Sequence, residues 1–123
     1  MVNRMGEDAL RHVQELADLA VEALKAHGFN LASEGSGGLV VEVDAGDDEA
    51  GGVYIKWKSP LSISSKVTEL IRSQNLESPF LAQATQYSSG MQKALSNALS
   101  LSGFLVELED DLRPFGIRVV SRG

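Results

Sequence analysis

The chain has 123 residues, no cysteine, a charged fraction of 23% and a formal net charge of −6. A chain of this length is expected to form one domain that buries about two thirds of its unfolded surface, and the missing thiols exclude disulfides, thiolate metal sites and cysteine nucleophiles. Up to Gly52 three basic residues stand against eleven acidic ones, whereas from Val53 onward eight basic face six acidic; phosphate-backbone recognition needs concentrated positive charge, so no nucleic-acid partner is expected.

Residues 1–7 contain no apolar leader, and no apolar run approaches the roughly 20 residues of a membrane span. The expected location is therefore cytoplasmic, with no membrane partner. Residues 7–27 read as an amphipathic helix: Leu10, Val13, Ala17, Ala20 and Leu24 step by three and four, and Leu16 and Val21 widen the stripe. Glu7 and Asp8 near its start and Lys25 near its end suit the helix dipole.

That helix closes in the frame Ala-Leu-x-x-x-Gly-Phe at 23–29, and the same frame recurs at 98–104. In each copy glycine is free to take the left-handed conformation that stops a helix, and the next phenylalanine can fold back on the leucine of the last turn. After the first stop, 29–33 alternates loosely and predicts a short strand, followed by a turn at 34–38. Leu39, Val41 and Val43 then alternate with Val40, Glu42 and Asp44; Val53, Ile55 and Trp57 alternate with Tyr54, Lys56 and Lys58. This is a hairpin with one apolar face, and Glu42 shares the other face with Lys56.

Ser59-Pro60 and Ser78-Pro79 each offer a capping serine before a proline suited to a helix's first turn. The first precedes Ile63, Val67, Leu70 and Ile71; the second opens a comb of Phe80, Ala84, Tyr87, Met91, Ala94, Ala98 and Leu101. The comb continues through Leu105, Leu108 and Leu112, so one helix of about 50 Å is the competing layout. A break at Gly103 is preferred, with strands at 104–108 and 117–120 around a turn at 110–116. The fold class is thus α+β: an antiparallel sheet of four to five strands, helices packed on one face, order α-β-β-β-α-α-β-β.

No constellation of catalytic groups emerges. The acidic segment 44–49 lacks the ligand spacing of a calcium loop. Asp8, His12 and Glu15 share a helix face but read as a solvated charge surface. The glycines at 35–38 precede a strand, not the helix N-terminus a phosphate cradle requires. Tyr54, Lys56 and Lys58, and the group Arg113, Arg118 and Arg122, are too sparse for a nucleic-acid surface. No cofactor or metal is expected, and catalytic residues are not identified. What remains is apolar surplus: Val40, Tyr54, Leu105 and Val120 on the outer sheet face, and two ridges on the long helix. The expected function is a non-enzymatic protein-binding or assembly module, self-associating or holding a protein partner, through Tyr87, Met91, Ala94, Leu95, Ala98, Leu99, Tyr54 and Val120. The alternative is a small enzyme or ligand-binding domain that uses carboxylates such as Asp8, Asp110 or Asp111 in a pocket.

Overall fold

Both copies of the glycine-phenylalanine frame end a helix. The computed structural model describes residues 6–44, 52–109 and 114–122. Helix α1 (Glu7–Ala26) stops with Gly28 at φ 95°, where the Gly28 N–H donates to Lys25 O and the Phe29 N–H to Leu24 O. Helix α3 (Pro79–Leu101) stops with Gly103 at φ 92°, and the Gly103 N–H donates to Ser100 O. These bonds satisfy carbonyls that a helix end otherwise leaves open. The chain leaves the second stop directly into a strand, so the single long helix does not form. At the other end of α3 the Ser78 side chain accepts from the Phe80 N–H and Pro79 takes the first turn.

The strands are β1 (Gly38–Asp44), β2 (Gly52–Lys58), β3 (Phe104–Glu109) and β4 (Gly116–Arg122), with α2 (Leu61–Arg72) between the hairpins. All pairings are antiparallel and the sheet order is β1-β2-β4-β3. Leu39 faces Trp57, Val41 faces Ile55 and Val43 faces Val53, so the alternation of the sequence becomes one apolar face. The third and fourth strands continue it with Ile117 and Val119 opposite Leu108 and Val106. On that face lie α1, through Ala17, Ala20 and Leu24, and α3, through Leu95, Ala98 and Leu99. Small residues at three of these positions let two helices sit close on a four-stranded sheet. Each fully buried leucine contributes on the order of 1.5–3 kcal/mol.

The order is α-β-β-α-α-β-β, with one strand fewer than expected. Segment 29–33 makes isolated bridges, Leu31 parallel to Leu39 and Ser33 opposite Ser36. Its direction explains this. The chain runs parallel to β1 with only a few residues between them, and parallel strands need a long crossover to form a ladder. A second difference is a bulge in β4. Leu105 pairs with Ser121 and Val106 with Val119, which leaves Val120 as the extra residue.

Candidate functional site

The long helix was expected to offer a surplus ridge, and the structure places that ridge inside. Leu95, Ala98 and Leu99 are buried against the sheet and α1, so they hold the fold together and are not available to a partner. Tyr87, Met91 and Ala94 are half-buried. Tyr87 meets the sheet: the Trp57 indole N–H donates to its hydroxyl at 2.7 Å, and Phe29 packs edge-on against the same indole, ring centroids 6.0 Å apart. Leu101, expected on the comb, is exposed, because the buried face of the helix runs through Gln92, Leu95, Ala98 and Leu99 and leaves Leu101 on its outer side.

The outer sheet face is also drier than its sequence suggests. Tyr54 stands between Glu42 and Arg118 in neighbouring strands and is only 4% exposed, so it too is part of the packed structure and not a docking residue. Arg118 lies 3.9 Å from Glu107 across the next strand pair. Glu42 and Lys56 share this face but are diagonal neighbours, since Lys56 pairs with Val40. Val120, swung out by the bulge, is exposed beside Leu105.

The apolar surface that remains was not singled out in the sequence. Helix α2 contains no buried residue, although Ile63, Val67, Leu70 and Ile71 recur at helical spacing. It packs against α3, and between them lies an open groove of ≈ 540 Å³ lined by Ile63, Val67, Ile71, Leu76, Leu81 and Ala84, with Phe115 at its margin. The lining of α3 is the N-terminal extension of its core stripe: Leu81, Ala84 and Ser88 lead by steps of three and four to Gln92, Leu95 and Leu99. Over the sheet that stripe is covered; here, among the described residues, it faces α2, Ser59, Leu76 and Phe115 across the open groove. Leu61, Ile71 and Leu76 are 60%, 55% and 64% exposed. The signal was present in the spacing of Ile63, Val67 and Ile71, but it does not say whether a helix face is covered.

The polar candidates disperse. Asp8 lies 3.7 Å from Arg11 at the solvent-facing start of α1, and His12 and Glu15 are exposed on the same helix. Asp110, Asp111, Arg113 and most of the 44–49 segment lie outside the described residues. Among the described residues no group of three His, Asp or Glu side chains is placed to hold a metal ion. The glycines at 37 and 38 have a packing role: a Cβ on Gly37 would lie 2.6 Å from Lys58 O, and one on Gly38 2.6 Å from Ala32 N. No described helix is long and apolar enough to cross a membrane. Comparison with protein-family models, curated proteins and solved structures returned no match.

Proposed function

We propose that the protein is a non-enzymatic cytoplasmic assembly module that self-associates through the α2–α3 groove. The observation that carries this reading is a twelve-residue amphipathic helix with none of its residues buried. An amphipathic helix normally owes its stability to a covered apolar face. A second copy is a suitable cover. Unlike the acidic α1, α2 carries both signs of charge in Lys66, Glu69 and Arg72, so two such faces related by a two-fold axis meet without a block of like charge. Burial of the exposed groove residues Ile71 and Leu76 offers about 1.5–3 kcal/mol each, against an association cost of about 4–15 kcal/mol. Most of the groove must therefore close to give a stable dimer. Neither nucleic acid, membrane nor cofactor enters this reading.

Sedimentation equilibrium of the wild type and of Ile71→Glu and Leu76→Lys variants tests it. The wild type is expected to dimerise at micromolar concentration, and both variants to be monomers with unchanged far-ultraviolet circular dichroism. A wild type that stays monomeric at high micromolar concentration overturns the proposal, as does a dimer indifferent to both substitutions.

A further inference from the structure

A second unfinished surface lies at the sheet edge formed by β1. Leu39 turns its backbone away from β2: its N–H donates to Asn30 O and its carbonyl accepts from the Ala32 N–H, both at 2.9 Å. Backbone direction alternates along an antiparallel strand, so Val41 and Val43 aim their N–H and C=O groups the same way. No described residue bonds them there. Their side chains, on the inner face, form the floor of a groove of ≈ 450 Å³ with Ala17, Val21 and Leu31. Asp18, Glu22 and Lys25 of α1 line it, Lys25 being its one cation among the described residues. Glu42 and Asp44 carry negative charge on the outer side of the same strand.

We propose that this edge receives an extended polypeptide segment in which apolar and basic side chains alternate, added to β1 as a further strand. Each property of the occupant follows from one feature of the site. The outward backbone groups of Val41 and Val43 require an extended chain. Alternate side chains of that chain drop onto the apolar floor, and the others stand beside Glu42 and Asp44, where opposite charge on a neighbouring strand is favourable. Asp18 and Glu22 extend the same preference along the groove. The occupant is not a second copy of this chain. Its apolar–basic alternations are at 55–58 and 117–119, within β2 and β4, and both are interior strands of the sheet. The proposal is independent of association through α2 and α3.

Fluorescence anisotropy with labelled synthetic peptides tests it: one alternating Val and Lys, one alternating Val and Glu, and one with the same Val and Lys residues in two blocks. The Val–Lys peptide is expected to bind in a salt-sensitive way and the other two weakly or not at all. Val43→Pro removes one outward N–H while leaving the bonds to β2, and is expected to lower affinity by about tenfold or more. Should that variant fail to fold, the exposed pair Asp18→Lys and Glu22→Lys carries the test and is expected to weaken the Val–Lys peptide selectively. Equal binding of the block and alternating peptides, affinity unchanged by these substitutions, or no binding at millimolar Val–Lys peptide overturns the proposal. Binding by the Ile71→Glu variant is expected to match the wild type, which separates this result from the fate of the dimer.

Discussion

His27 Nε2 lies 3.2 Å from Ser102 Oγ, and the two residues occupy the same place in the repeated frame, one before each glycine. The Ser102 hydroxyl donates to Ala98 O at 2.9 Å, so its oxygen accepts from the imidazole N–H. The two helix stops are thus laid side by side, and α1 and α3 end at the same level over the sheet. Leu24 and Leu99, each four residues before its glycine, are both fully buried there. A shared end geometry explains the repeated frame without any duplication of the flanking sequence.

The break after α3 gives a paired test within one helix. Gly103 is in the left-handed region, whereas Gly90 lies in the helix interior with open space where a Cβ would go. Gly103→Ala is expected to cost about 1–2 kcal/mol. Gly90→Ala is expected to add about 0.5–1 kcal/mol. Urea unfolding of both variants reads the two signs. A stabilised Gly103→Ala variant would mean that α3 does not end where it is drawn.

Helix α2 ends with the same bonds but without the glycine. Gln74 has φ 60°, its N–H donates to Ile71 O, and the Asn75 N–H donates to Leu70 O. The residue is exposed, so its side chain contributes little packing to offset the left-handed conformation. Gln74→Gly is expected to stabilise the protein by about 0.5–1 kcal/mol, seen as a higher urea midpoint at unchanged slope. A lower midpoint would show that the glutamine makes a contact worth more than the strain.

The same stops mark how far the sequence can be read. Glycine announces the ends of α1 and α3, and strict alternation announces the β1–β2 hairpin, because both signals depend on local geometry. The end of α2 is silent because glutamine there obeys tertiary context rather than preference. The comb on α3 is misleading for a different reason. Apolar residues on two adjacent ridges satisfy more than one helical phase, and only the sheet decides that Leu95 and Leu99 turn in while Leu101 turns out. Tyr54 is on the polar side of its strand by parity, yet buried; no alternation rule reports what lies above a sheet. The groove beside α2 is likewise a property of what fails to cover it.

Tyr87 was expected on a surface and instead accepts the hydrogen bond of Trp57, the protein's one tryptophan. Tyr87→Phe keeps the ring and removes the acceptor. The expected loss is about 1 kcal/mol, since the half-buried indole regains little from water. Tryptophan emission reports this single site, and its maximum is expected to shift in the folded variant. An unchanged spectrum with unchanged stability would remove the contact from any account of how α3 is held to β2.

Gln92 is 5% exposed and its amide donates to the Gly116 carbonyl at 3.0 Å, which ties the middle of α3 to the first residue of β4. A glutamine in a helix looks like surface in the sequence, yet this one holds the β3–β4 hairpin beneath the helix. Gln92→Met preserves length and removes the donor, at an expected cost of about 1–3 kcal/mol. Gln92→Glu separates the hydrogen bond from the packing. Protonated, the acid donates to Gly116 O; ionised, it faces a carbonyl in a buried place, and burial raises its folded pKa above the unfolded value of about 4.3. A carboxyl whose folded pKa is raised binds more protons folded than unfolded, so stability falls as pH rises from the unfolded pKa through the folded one. Relative to wild type, the variant is expected to be near normal at about pH 4 and clearly destabilised at about pH 7. A difference between the two proteins that does not change over that interval would show that the residue at position 92 meets water and that the link to Gly116 does not hold the hairpin.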